Sequence, residues 1–544
     1  MEPVLDAFDY IIIGAGAAGC VLTNRLSSDP SISVCVLEAG GRDSNPYIRM
    51  PAGFVKTVYG DQISWPFKSA PGAGIEGREI RLPQGKVRGG SSSINGMVYN
   101  RGQRADFDHW AQFGNRGWGF DDLLPYFKRS ERRIGPGDDA VRGRTGEVPI
   151  TDMDWIHPVC EAFLDAAGGL GIPRNPDYNS GTQFGAGYYQ RFINNGRRVS
   201  AARAFLKPAL ARDNVVLREN VHVTGLAFEG NRVTGVQYRD ASGGAHAVTA
   251  RREVLVSAGA VNSPKLLQLS GIGPPDLLQS LGIPVVKALE GVGENLRDHY
   301  SARMVARAKN VRTINQYARW PHLPVQFMKW LVGKPSVLGI CPSVAYVHGK
   351  SHPDLEDADL RILFTPGSYA EGRTYILDEY PGMTCGAAQP RPQSKGYVRA
   401  SSPEPLEAPI IQPNYLTDEA DQRITVTGMR MVRDIFHRPE LSEFFDVETL
   451  PGPAATTDDE LLDFAKRNGN TGYHLVGTCR MGPVTDVGAV VDDELRVHGI
   501  EGLRVVDASI MPMLPSANTY ASTLAIAEKA ADMIRGRSAP EPTP

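Results

Sequence analysis

The apolar positions of this chain fall into short runs, and the first run carries the most information. Phe8-Asp-Tyr-Ile-Ile-Ile13 ends β-branched and continuously apolar, the pattern of a strand buried on both faces of a parallel sheet. It leads straight into Gly14-Ala-Gly16-Ala17-Ala18-Gly19, after which Val21, Leu22 and Leu26 follow at helical spacing. A second apolar run, Ser33-Val-Cys-Val-Leu37, ends on Glu38, followed by Ala39. Strand, glycine turn, helix, strand and terminal acid form the unit that binds a dinucleotide. Gly14 turns the chain, Gly16 lets backbone approach a pyrophosphate, and Gly19 lets the helix pack on the strand. The helix N-terminus faces the phosphates. Glu38 accepts from the ribose hydroxyls and repels a 2'-phosphate, which disfavours NADP but leaves NAD and FAD both open.

The pattern then changes. Residues 40–150 hold few periodic segments and many Gly, Pro and aromatic residues, as expected of an excursion along an extended cofactor. Val215 to Ala258 reads as short β runs, with Glu229-Gly-Asn-Arg232 as a hairpin turn. A second strand-to-helix turn follows, in which Ser263 is expected to cap the helix, Pro264 to take its first position and Gly271 to end it. Residues 301–465 scatter aromatics, Trp320, Phe327, Trp330, Tyr346, Phe364, Tyr369, Tyr375 and Tyr380, with Met328, among loops and strands. These suit a substrate-side lobe, although core is the commoner fate of any one of them. Tyr520 to Arg535 predicts a helix with Tyr520, Leu524, Ala527, Ala531 and Ile534 as its apolar stripe.

Composition narrows the function. A chain of 544 residues exceeds one ordinary core. Its formal net charge of -3, without long runs of one sign, disfavours nucleic acid and anionic membrane as partners. Six scattered cysteines form no C-x-x-C pair, so reduced thiols and a cytoplasmic location are expected, and no metal. The acidic opening Met1-Glu-Pro does not read as an export signal, no N-x-S/T sequon occurs, and no membrane span of about 18 apolar residues is present.

Four separated motifs, in order, resemble the glucose-methanol-choline (GMC) oxidoreductase family, in particular its bacterial choline, sorbose and alcohol dehydrogenases. They are Gly14-x-Gly16-x-x-Gly19 with Glu38; Gly85-Lys-Val-Arg-Gly-Gly-Ser-Ser-Ser-Ile-Asn95-Gly-Met; Gly259-Ala-Val-Asn-Ser-Pro-Lys-Leu-Leu-Gln-Leu-Ser-Gly-Ile-Gly273; and Tyr473-His-Leu-Val-Gly-Thr-Cys-Arg-Met-Gly482 with Asp507 and Asn518. The resemblance implies an α/β fold, α+β overall: a Rossmann-like FAD-binding domain and a substrate-binding domain built on an antiparallel sheet. The first is expected from 1–155, 201–300 and 466–544, the second from 156–200 and 301–465. It also implies FAD rather than NAD. Carried over residue by residue, Gly14, Gly16, Ala17, Ala18, Gly19, Glu38 and Ala39 hold the adenosine diphosphate, and Val223 contacts the adenine. Ser91, Asn95, Gly96, Met97 and Val98 line the stretch toward the isoalloxazine, with Trp65, Tyr473, Asp507, Ala508, Asn518 and Thr519 also at the cofactor. Arg88 departs from the aliphatic residue usual before Gly-Gly. Ile94 stands where some relatives carry a flavin-tethering histidine, so FAD is expected to be non-covalent.

The chemistry follows from the last motif. Oxidising an alcohol requires a base for the hydroxyl proton and an acceptor for the α-carbon hydride, which flavin N5 supplies. His474 is the expected base, because imidazole titrates near working pH. Asn518 is the expected hydrogen-bonding partner of the substrate oxygen, and as an amide it is no base. Helix N–H groups near Thr519 to Ala521 are placed to stabilise reduced flavin. The implied reaction is oxidation of a primary or secondary alcohol, with electrons passing to a quinone-like, non-oxygen acceptor. O₂ is the alternative acceptor. Lyases and decarboxylases of this fold are the alternative of another class, opposed by the missing leader and sequons.

Overall fold

The computed structural model describes residues 6–60, 62–370 and 376–538; Tyr375 and the tail beyond Ser538 lie outside them. The opening run forms strand β1 (Ala7–Ile13), the glycine turn leads into helix α1 (Ala17–Leu26), and the second run forms β2 (Val34–Glu38). β1 lies between β2 and the long strand β3 (Ala245–Val256), parallel to both. Val215–Glu219 extends the sheet beyond β2 in the same direction. The last residues of β3, Val254 to Val256, pair with Ile11 to Ile13 on one side and with Leu503 to Val505 on the other, again parallel. Its first residues pair instead with Arg232–Arg239, and that strand with His222–Glu229, both antiparallel. The hairpin turn falls at Gly230, as expected. The pattern explains this double life: β3 is largely exposed at Ala245 to Ala247 and fully buried from Val254 onward. The carboxyl ends of β1, β2 and β3 therefore lie side by side, where sheets of this kind bind ligands.

After β3 the helix starts earlier than its sequence signals suggest. Helix α2 runs Gly259–Leu269, which puts Ser263 and Pro264 in its interior. Proline removes the bond that Ala260 would accept, and Thr478 Oγ1 donates to that carbonyl instead at 2.7 Å. Ser263 is not a cap because its hydroxyl is drawn to Asp507. Gly271, at φ 79°, does end the helix.

A second sheet is antiparallel throughout. Its strands lie in the order Phe445–Leu450, β4 (Tyr300–Ala308), Gly382–Ala388, β5 (Leu360–Thr365), Ala345–Gly349 and Gly185–Tyr188, with Asn470–Thr471 joined to the start of β4. One continuous apolar core runs through both sheets. Tyr346 and Phe364 are core. Trp320, Phe327 and Met328 are not; they belong to helix α3 (His322–Leu331) or its approach and face outward.

The final helix, α4 (Thr519–Arg535), is buried all round from Tyr520 to Asp532 rather than along one stripe, and Ile534 is only half-buried. Two elements cover it, α1 and the helix Phe120–Ser130. Its buried Glu528 is paired by Arg25 and Arg129, each at 2.7 Å, so the polar side of the helix is satisfied inside the protein.

Candidate active site

One cavity runs from the carboxyl ends of β1 and β2 to the second sheet. Gly14, Gly16, Ala17, Ala18, Glu38, Ala39, Trp65, Ser91, Asn95, Gly96, Met97, Val98, Val223, Tyr473, Asp507, Ala508 and Thr519 line it, together with His474 and Asn518. Gly19 does not. A Cβ there would lie 1.9 Å from the Gly14 carbonyl oxygen, so its task is to let α1 pack against the turn. Gly16 differs: a Cβ there meets only the Ser257 carbonyl oxygen, at 3.7 Å. The turn before α1 meets the loop of the second motif at Gly90, whose added Cβ would sit 2.8 Å from Gly16 Cα. Two backbone loops thus make a bare cradle, closed to a side chain at Gly90 and open over Gly16.

Glu38 ends β2, buried at the cavity wall. Its Oε2 accepts from the Ala15 N–H and its Oε1 from the Gly40 N–H, both at 2.8 Å, while burial pushes its pKa up to about 7. Asp507 ties the third and fourth motifs together. Its Oδ2 accepts from the Gly259 N–H at 2.8 Å and the Ser263 hydroxyl at 2.6 Å, and its Oδ1 from the Ser509 N–H at 2.8 Å. Asn95 Oδ1 accepts from buried Arg198 at 2.8 Å. Arg88, the departure in that loop, makes a two-pronged ion pair with Glu219 on the neighbouring strand. Ile94 packs with Ile48 and Val87.

At the other end, His474 follows Tyr473, whose φ of 64° turns the chain sharply. Asp298 holds that turn: one oxygen accepts from the His474 N–H at 2.7 Å, the other from Tyr415 at 2.6 Å and from the Thr471 hydroxyl. The ring of His474 lies between two partners. Its Nδ1 is 2.9 Å from Nδ1 of His299, and its Nε2 is 2.9 Å from Nδ2 of Asn518. His299 Nε2 lies 2.7 Å from the carbonyl of Pro390.

Burial holds the His299 pKa well below its usual value, and with both rings neutral these contacts permit one arrangement of protons. A carbonyl only accepts, so His299 carries its proton on Nε2 and its Nδ1 is bare. The bare Nδ1 accepts from His474, which is protonated on Nδ1. The Nε2 of His474 then carries a lone pair, consistent with Asn518 donating to it. Burial, and then the positive charge of Arg361, lower the His474 pKa to about 3, so the imidazole is neutral.

Asn518 occupies the N-cap position of α4 but its side chain caps nothing. It turns to His474, and its Oδ1 is buried without a partner. Gly472 leaves no free space beside the rings; a Cβ there would lie 2.9 Å from both His299 Cβ and His474 Nδ1. His299, Arg303 and Arg361 also line this end of the cavity and were not singled out by motif. No local pattern marks His299; Gly472, far away in the chain, makes room for the pair by its missing side chain.

A GMC oxidoreductase N-terminal family model matches residues 8–301 and its C-terminal counterpart residues 392–527. The chain belongs to the GMC oxidoreductase family. It is 38% identical over 531 residues to an alcohol dehydrogenase [acceptor] of Pseudomonas putida, covering 97% of this chain and 95% of that one. It is 39% identical to an oxygen-dependent choline dehydrogenase of Chromohalobacter salexigens, covering 99% and 96% respectively. The crystal structure of pyridoxine 4-oxidase from Mesorbium loti superposes with a TM-score of 0.87 at 32% identity, over 98% of this chain and 100% of that one. As a GMC oxidoreductase the chain is an FAD enzyme that acts on CH–OH donors. Its residues fit FAD: Gly14, Gly16 and Gly90 leave a bare backbone cradle where a pyrophosphate would lie, a buried carboxylate ends β2, and the same cavity continues to the imidazole pair. No helix among the described residues is long and apolar enough to cross a membrane.

Proposed function

We propose that this enzyme oxidises a primary or secondary alcohol to the carbonyl, with His474 as the base and a non-oxygen, quinone-like electron acceptor. The observation that carries the reading is the chain Pro390, His299, His474, Asn518, which leaves the Nε2 lone pair of His474 on the cavity side. Bound FAD supplies the acceptor for the α-carbon hydride. With the substrate hydroxyl taking the place of the Asn518 N–H at Nε2, His474 accepts the hydroxyl proton there, and Nδ1–H, held by His299, keeps the ring in place as it becomes charged. Asn518 holds the substrate oxygen, and Arg361 stabilises the negative charge that develops there. Glu38 receives the ribose hydroxyls, and Asp507 fixes Gly259 and Ser263 against the opposite side of the cradle. The relative named alcohol dehydrogenase [acceptor] supports an alcohol as the substrate class.

The substrate end of the cavity disfavours choline. Arg303 and Arg361 line it, whereas the carboxylates lining the cavity among the described residues, Glu38 and Asp507, are both tied into the cofactor end. Arg361 is buried with its Nε and Nη1 unpartnered. A quaternary ammonium needs a carboxylate or an aromatic cage, not two cations. In the absence of air, neutral primary alcohols are expected to bleach the bound flavin and choline to leave it yellow. Bleaching by choline alone overturns this reading of the pocket, and failure of every alcohol overturns the function. Admitting O₂ to the reduced enzyme should then produce little peroxide; rapid, stoichiometric peroxide would identify an oxidase.

His299→Leu tests the proton arrangement. Removing the acceptor of Nδ1–H is expected to slow flavin reduction by roughly 10- to 100-fold, the scale seen when the partner orienting a metal-bound histidine is lost. FAD content and thermal stability should stay close to those of the parent. An unchanged reduction rate would show that His299 does not govern the state of His474.

A further inference from the structure

Helix α3 is built inside out. Leu323, Phe327 and Leu331, spaced four apart, share one face with Met328, and all are exposed, as are Val325, Val332 and the preceding Trp320. Trp320 is 83% exposed and Val332 62%. The one buried residue of the helix is polar: Gln326, whose backbone carbonyl accepts from the Ser336 hydroxyl at 2.8 Å and whose Oε1 accepts from the Val337 N–H at 3.2 Å. Trp330 Nε1 donates to the Gly196 carbonyl at 2.7 Å on the same side. Hydrogen bonds thus hold the helix to the body while its apolar face points outward, the reverse of an ordinary surface helix.

The charge pattern says what covers this face. Between Asp298 and Asp354 the chain has no aspartate or glutamate, while Arg312 and Arg319 precede the helix in the chain, Lys329 lies in it and Lys334 just after it. Lys329 and Lys334 are exposed. The whole-chain charge of -3 conceals this local excess. We propose that this face docks on the anionic surface of a lipid bilayer. In that position α3 lies in the headgroup layer, its apolar side chains reach the acyl boundary, and the two lysines meet lipid phosphates. At ten residues the helix is far too short to span. A second copy of this chain is the poorer occupant. Across a two-fold axis the same surface meets itself, bringing Lys329 and Lys334 against their own copies with no carboxylate in the segment to pair them.

The docked face adjoins the catalytic cavity. The turn Val337–Gly339 packs both on α3 and on Pro51–Gly53, and the next residues, Phe54 and Val55, line the cavity wall. That proximity suits a membrane-dissolved electron acceptor, a point that rests on the proposed function; the docking itself does not.

The test is cosedimentation of the purified holoenzyme with phosphatidylcholine vesicles, with and without phosphatidylglycerol. The protein is expected to pellet with the anionic vesicles, less so as salt is raised, and weakly with the neutral ones. Lys329→Glu/Lys334→Glu and Phe327→Ser/Leu331→Ser should each weaken binding at least ~10-fold, while both keep FAD and the parent rate of alcohol oxidation with a water-soluble dye. The proposal is overturned if the parent stays in the supernatant with anionic vesicles, or if both variants pellet as it does. It is equally overturned if light scattering shows a dimer that Phe327→Ser/Leu331→Ser dissociates, since a second copy would then cover the face.

Discussion

His474→Ala is expected to slow anaerobic reduction of the bound flavin by about 10²–10⁴-fold, the usual worth of a general base. FAD should remain bound, because His474 lies at the far end of the cavity from the glycine cradle and the Glu38 carboxylate. The turn carrying it is held through its backbone: Asp298 accepts from the residue 474 N–H, which alanine retains. Loss of flavin from the variant would therefore point to collapse of the turn rather than to loss of a base. The parent enzyme has a matching pH signature. Protonation disables a base, so its rate falls as pH drops through the pKa of the group. For a histidine at its ordinary 6.5 that fall lies between about pH 7.5 and 5.5, whereas burial and Arg361 hold His474 down to about 3. The reduction rate should accordingly stay level from about pH 8 to 5. A fall centred near 6.5 would show that His474 is not the group that takes the proton, or that a bound anion cancels the field of Arg361.

A pair of single-methyl substitutions should separate the two tasks of the first glycine turn. Gly16→Ala is compatible with the protein itself: Gly16 has φ -74°, which alanine adopts freely, and its added Cβ meets one atom, at 3.7 Å. The methyl group would instead occupy the cradle, so the expected product is a folded protein of parent thermal stability whose affinity for FAD has dropped at least ~100-fold. Gly19→Ala places a carbon 1.9 Å from a backbone carbonyl oxygen, and the neighbour is not a side chain that can swing away. Helix and strand must separate, at a cost of about 3 kcal/mol. Its stability should therefore fall even when FAD is in excess. Calorimetry and flavin titration of the two variants distinguish these outcomes, and equal melting temperatures would show that Gly19 is not a packing residue.

The elements legible in the sequence are those whose signal is local. β1, α1 and β2 follow from one apolar run, one glycine turn and a second run, and Glu38 falls at the strand end where its spacing places it. The motifs likewise mark the residues that surround the cavity, since positive φ and close backbone contacts at Gly14 and Gly90 restrict the residue types there. Local signals misled where a distant group competes for the same atom. Ser263 and Pro264 spell a helix start, but Asp507 draws the serine hydroxyl away and Thr478 supplies the bond that the proline removes. The apolar stripe of α4 understated its burial because Arg25 and Arg129, far away in the chain, neutralise Glu528.

By itself the sequence determined the family, through four motifs in order, and the resemblance they carry implied FAD and singled out His474 as the proposed base. Only the tertiary structure decided which nitrogen of His474 carries the proton, since a carbonyl at Pro390 acts on it through the ring of His299. It alone decided that cations rather than carboxylates line the substrate end, because Arg303 and Arg361 come from different strands of one sheet. Hydrogen bonds and fields act through space, over distances that spacing along the chain does not encode.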